Sequence, residues 1–139
     1  MRVGVISDTH NPSVGAEPPP EVVSAFDGVD VIIHAGDIYQ PSCLDWLEKI
    51  APVYAVELGA DAHFKEDVRV VDMSRVLELE GHKIGLIHDL MVPGVAQEIT
   101  EFTPLSKYFP QDAKLSDALG KVFDSDVDIV IFGHTHYPV

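Results

Sequence analysis

Short runs of aliphatic residues recur along the chain, and each breaks off at acidic or imidazole side chains. Residues 3–6 lead to Asp8 and His10, and residues 31–33 lead through His34 to Gly36 and Asp37. Residues 84–87 lead to His88, and residues 129–132 lead to Gly133, His134 and His136. Runs this short, rich in β-branched residues and flanked by Gly and Asp, predict buried strands. Polar groups just past the C-terminal ends of such strands lie where open α/β sheets bind ligands. In extended chain, residues two apart point to the same side, so Asp8 with His10 and His134 with His136 are each expected to converge. Two pairs and two single groups then meet at one sheet edge.

The rest of the pattern fills in the connections. A first strand is predicted over residues 2–6, and residues 11–20, with four prolines, form a surface loop. A weakly amphipathic helix over 21–26 leads to a second strand over 30–34. Ser42 is placed as an N-cap with Asp45 three residues on, and Cys43, Trp46, Leu47 and Ile50 follow on one helical face, its Trp46 side expected against the sheet. A third strand covers 53–56 and ends at Gly59. Strands over 76–80 and 83–88 flank Gly81-His82, which predicts a hairpin with a type II′ turn. Residues 89–112, carrying Phe102, Tyr108 and Phe109, show no sustained period and read as a long connection. Leu115, Ala118, Leu119, Val122 and Phe123 mark a helical face before the last strand at 128–132. The order predicts a largely parallel α/β core with an antiparallel part.

Composition narrows the function. The 139 residues suit a single domain over 1–139, with no room for a second catalytic one. Nine Lys and Arg against 23 Asp and Glu give a formal charge of −14, which repels a phosphate backbone and argues against duplex nucleic acid. An anionic substrate would need bound cations to bring it in. Cys43 is the only cysteine, so no internal disulfide can form, and its place on a packed helical face suits packing rather than nucleophilic attack. The apolar runs are too short to span a bilayer, and no basic stretch precedes an apolar one at the N-terminus, so a cytoplasmic protein without a membrane association is expected. A nucleotide switch is disfavoured because no Gly-rich phosphate loop is present.

Carboxylates with neutral imidazoles suit borderline divalent ions such as Mn, Fe, Co, Ni or Zn, whereas an all-oxygen site would suggest Mg or Ca. A single carboxylate among several histidines suggests a bridge between two ions. Such a pair, about 3.5 to 4 Å apart, can hold a hydroxide at neutral pH and clamp the attacking and leaving oxygens of a phosphoryl group. Other histidines have plainer readings. His34 sits mid-strand at odd spacing from Asp37 and reads as a satisfied core residue, His82 as a turn residue and His63 as solvent-exposed.

Ser-Asp8-Thr-His10, His-Ala-Gly36-Asp37, Gly59-Ala60-Asp61, His88 and Gly133-His134-Thr-His136 resemble the ordered motifs of the calcineurin-like metallophosphoesterases, in their small bacterial and archaeal phosphodiesterase branch. The resemblance implies an αββα sandwich of two mixed sheets flanked by helices. It implies that Asp8, His10 and His136 bind one metal, that Asp37 bridges, and that His88 and His134 bind the other. Two divalent ions, Mn foremost with Ni, Zn, Fe and Co as alternatives, would then hold a hydroxide that attacks the phosphorus of a small phosphodiester or phosphate ester. On this resemblance Asp37 would serve catalysis by holding the ions together, and His10 is the nearest candidate for a general acid if its ligand role leaves it free. The substrate-binding residues are not indicated.

The chain departs from the pattern in two places. Where the family has Gly-Asn-x-Asp this chain has Gly59-Ala60-Asp61, so the second site is expected to be weak, completed by water, or rescued by Asp61 or His63. The chain also stops three residues after His136, so the C-terminal strands of the second sheet are expected to be missing or shortened, leaving edges that invite a homo-oligomer. The alternative function is a weakened or inactive scaffold on the same fold that binds protein partners, as a resemblance to the retromer scaffold subunit implies.

Overall fold

The computed structural model describes residues 1–90 and 114–136. Within them the elements run β1 (Val3–Ile6), α1 (Glu21–Ala25), β2 (Val31–His34), α2 (Pro41–Glu48), β3 (Val53–Glu57), α3 (Ala60–His63), β4 (Val70–Asp72), β5 (Ser74–Leu79), β6 (His82–Ile87), α4 (Lys114–Phe123) and β7 (Ile129–Ile131). Strands β1 to β4 form one sheet in sequential order, and β5-β6-β7 form a second. The first sheet is parallel throughout rather than mixed. The physical reason is that each of its connections passes through a helix, and a crossover of that kind returns the chain in the same direction. In the second sheet β5 is antiparallel and β7 parallel to β6.

Alternation along the strands sets the layers. On β2, Ile32 joins Leu44, Leu47, Val53 and Phe64 in a core between the parallel sheet and its helices. Its neighbour Ile33 points the other way and joins Val56, Leu77, Ile84 and Leu86 in a core between the two sheets. Gly85 of β6 lets the ring of Phe123 on α4 come close, since a Cβ there would stand 2.7 Å from it. The result is two sheets face to face with helices outside, as the resemblance implies. No helix among the described residues is long and apolar enough to cross a membrane.

Three local expectations need correction. The hairpin turns at Glu80 and Gly81, not at Gly81 and His82, because Leu79 pairs with His82. Both turn residues have positive φ, 51° and 80°, as a type I′ turn requires, and Gly is favoured in the second position of that turn. Ser42 is not the cap of α2. Gln40 is in extended backbone at the N-cap and Pro41 begins the helix, where a missing N–H loses nothing. The buried face of α2 is Cys43, Leu44 and Leu47, with Trp46 only partly covered. Helix α3 and strand β4 were not anticipated at all. Each is one turn or three residues long, too short for a period to show, and β4 forms by pairing with β3. Beyond its first two residues, the connection expected over 89–112, with Phe102, Tyr108 and Phe109, lies outside the described residues.

Candidate metal centre

The C-terminal ends of β1, β2, β6 and β7 meet at one edge of the sandwich. Past β1 and β2 the ladder continues into the loops, where the Asp8 N–H donates to the Gly36 carbonyl and the His10 N–H to the Asp37 carbonyl, each at 2.9 Å. The Gly133 N–H donates to the His88 carbonyl at 3.0 Å. The His134 N–H donates to both carboxylate oxygens of Asp8 at 3.1 Å, which joins the two sheets.

These side chains do not converge by extended-chain alternation. Asp8, His10, Asp37, His134 and His136 all lie beyond their strands in left-handed backbone, with φ of 54°, 49°, 53°, 73° and 56°. That conformation costs roughly 1–2 kcal/mol for a residue with a Cβ, and such strain collects at functional sites. The two histidines of the last motif also part company: His136 meets Asp8 and His10, while His134 stacks edge-on against His88, ring centroids 5.2 Å apart.

One ligand atom each from Asp8, His10, Asp37 and His136 lies within 4.8 Å of the others. His10 Nε2 stands 3.3 Å from His136 Nε2 and 3.5 Å from Asp37 Oδ2, and His136 Nε2 stands 3.4 Å from Asp8 Oδ1. Two ligands of a tetrahedral ion at ordinary bond lengths are about 3.4 Å apart, so these separations fit a transition-metal ion. Asp37 Oδ2 is also 3.5 Å from His88 Nε2, on the other side. His134 Nε2 lies 3.9 Å from Asp89 Oδ2.

Second partners aim the rings. The Nδ1–H of buried His88 donates to the Ala35 carbonyl at 2.8 Å, which leaves its Nε2 lone pair facing Asp37. Tyr39 Oη meets His10 Nδ1 at 2.7 Å; a proton on Nδ1 leaves the His10 Nε2 lone pair for the cluster. Partial desolvation, then the charges of Asp37, Glu57 and Asp8, hold the Tyr39 phenol above its ordinary pKa. Two glycines are needed for close approach. A Cβ on Gly36, at φ +95°, would come within 2.6 Å of His88 Nδ1, and one on Gly133 within 2.7 Å of Asp8 Oδ2.

The model of the calcineurin-like phosphoesterase superfamily domain matches residues 1–139. The chain belongs to this superfamily. It is 37% identical over 139 residues to a probable metallophosphoesterase of Methanothermobacter thermautotrophicus, covering 99% of this chain and 68% of that protein. A probable metallophosphoesterase of Methanocaldococcus jannaschii is 35% identical, with 99% and 60% covered, so the chain spans about two thirds of the length of these relatives. Among solved structures, Vacuolar Protein Sorting 29 of Cryptosporidium parvum has a TM-score of 0.67 at 23% identity, covering 99% of this chain and 66% of that one. A structure described as a novel archaeal phosphodiesterase has a TM-score of 0.57 at 20% identity, covering 100% and 76%. Both share the fold of the superfamily.

Ala60 holds the position at which the family pattern has Asn. Ala60 is buried, in one apolar core with Phe64 and Leu47. Gly59, at φ +74°, is the residue whose added Cβ would meet nothing within 4 Å. His63 is exposed at the end of α3 and is not part of the four-residue group, and the Asp61 side chain lies outside the described part of the chain. Two neighbours of the cluster escaped the sequence reading. Tyr39 follows Asp37 by two residues but carries no motif signal. Glu57, a carboxylate at the end of an apolar strand, repeats the pattern seen at Asp8 and Asp37 and was legible in principle. It is buried, accepts the Ile38 N–H at 2.8 Å, and desolvation raises its pKa.

Proposed function

We propose that the chain is a divalent-metal-dependent phosphoesterase acting on a small phosphodiester. Asp8, His10, Asp37 and His136 would hold one ion, and Asp37, His88 and His134 a second. The observation that carries this reading is Asp37 Oδ2, which stands 3.5 Å from the Nε2 atoms of both His10 and His88. When bound, a pair of ions supplies Lewis acidity toward a phosphoryl oxygen and a nucleophile at neutral pH. The mixture of nitrogen and oxygen donors suits Mn, Ni, Zn, Fe or Co better than Mg or Ca.

The chain's own residues supply position. Asp37 spans the two halves, the His134 N–H orients the Asp8 carboxylate, and the Ala35 carbonyl fixes the His88 ring. His134 and His136 are more than half exposed and face the solvent from which a substrate would arrive. Both nitrogens of His10 have partners in Tyr39 and in the cluster, which favours ligation over proton donation to the leaving group.

Hydrolysis of an aryl phosphodiester by metal-stripped protein, titrated with Mn, Ni, Zn and Mg beside Asp37→Ala, tests this reading. Turnover that appears with Mn or Ni and vanishes in Asp37→Ala is the expected result. Metal uptake without turnover on any phosphate ester would favour the scaffold reading instead, and turnover indifferent to metal and to Asp37 would sink the proposal.

A further inference from the structure

His34 is fully buried, three residues before Asp37, and the reaction outlined above gives it no task. Its hydrogen bonds can nevertheless be assigned. The Gly36 backbone N–H, which can only donate, points at His34 Nδ1 at 3.2 Å. Burial pushes the imidazole pKa down to about 3, so the ring is neutral and its single proton is on Nε2. Nε2–H therefore donates to Thr9 Oγ1 at 3.0 Å. The Thr9 hydroxyl also meets the buried Cys43 Sγ on α2 at 3.4 Å, in a hydrogen bond that either group can donate.

The two ends of this line matter. Thr9 lies between Asp8 and His10, and Gly36 immediately precedes Asp37. One ring thus touches the two loops that carry Asp8, His10 and Asp37, three of the four cluster residues, and through Thr9 it ties them to the helix core. The backbone hydrogen bonds at Asp8 and His10 join the two loops only to each other. Asp8, His10 and Asp37 all hold left-handed backbone that would relax if released. Beside the Ile38 N–H to Glu57 and the His134 N–H to Asp8, the line through Thr9 gives the pair of loops a further tether to the core.

We propose that His34 is a positioning residue for the metal centre, holding Asp8 and His10 through Thr9, and Asp37 through Gly36, in the geometry that binds an ion. The inference rests on the metal-centre reading and adds a role to a residue that otherwise reads as core.

Thr9→Val removes the hydroxyl at nearly constant shape, and Thr9→Ser keeps it. Calorimetric titration of metal-stripped protein with Mn²⁺, with the Mn²⁺ electron paramagnetic resonance spectrum followed in parallel, reads the site without requiring turnover. Melting curves of each metal-free variant fix a temperature at which all are folded. Thr9→Val is expected to bind Mn²⁺ roughly 10 to 100-fold more weakly, the range for losing a partner behind a ligand, while Thr9→Ser binds as the wild type does. His34→Gln supplies the same comparison should Thr9→Val fail to fold. A merely structural role would lower melting temperatures and leave affinity at the chosen temperature unchanged, and that outcome overturns the inference alone. Wild-type protein that takes up no Mn²⁺ overturns the metal-centre reading, and the inference falls with it.

Discussion

The two halves of the proposed centre are held in different ways. Asp8, His10 and Asp37 hang from adjacent parallel strands, their loops are laddered to each other, and His34 and Tyr39 brace them from behind. On the other side of Asp37, His88 is buried and fixed by one carbonyl, whereas the His134 ring is more than half exposed and, among the described residues, meets the edge of His88 and, at 3.9 Å, Asp89. Preorganisation lowers the entropy lost on binding. The first half should therefore fill at lower metal concentration than the second, and the difference in bracing sets the order.

Asp37→Ala offers the harshest trial of that picture. Because Asp37 faces both halves, its loss should weaken both binding events by more than about 100-fold, beyond what a partner behind a ligand contributes. Two-event calorimetry that kept one event intact would show that the carboxylate is not shared.

Acid should reach the first half's support through folding stability. The His34 imidazole has a pKa of about 3 when folded and an ordinary value of 6.5 when unfolded. Between those limits the unfolded chain binds the extra proton, so stability is fully present above 6.5 and falls with pH by up to about 1.4 kcal/mol per unit. Denaturant melts of wild type and His34→Gln should therefore draw together as pH drops from 6.5 toward 3. Parallel curves would mean that His34 is protonated in the fold.

Gly36→Ala acts on the second half. Its Cβ must displace His88 and occupy φ +95°, so about 1–3 kcal/mol of stability should go together with the weaker metal event. Ala60→Asn would bury an amide in the apolar core and cost about 1–3 kcal/mol without strengthening either event. A gain in the weaker event on Ala60→Asn would overturn the placement of that side chain. The smallest effect is expected for Tyr39→Phe, which should weaken only the first event, by about tenfold, as seen in the same titration.

Much of the site was legible because its chemistry is local. Asp-x-His and Gly-Asp end neighbouring parallel strands of one sheet, and His and Gly-His-x-His end neighbouring parallel strands of the other, so each pair of tips follows from strand direction, and the strands are short enough for their ends to be read directly. What could not be read was how the tips turn. Alternation in extended backbone would pair Asp8 with His10 and His134 with His136, whereas those residues adopt left-handed φ and the two histidines lie against different partners. Likewise Ala60 stands beside Gly59 in sequence, yet one lies in the core and the other opens to space.

By itself, the sequence determined every strand run but β4, the residues at their ends, the acidic charge that calls for cations, and the superfamily. Periodicity and side-chain chemistry are properties of neighbouring residues, so they survive without coordinates. Only the tertiary structure decided that Asp37 faces both His10 and His88, that Tyr39 and His34 stand behind the cluster, and that Glu80 rather than His82 turns the hairpin. Those facts depend on strand register and on left-handed backbone held in place by contacts distant in sequence, and no local pattern encodes them.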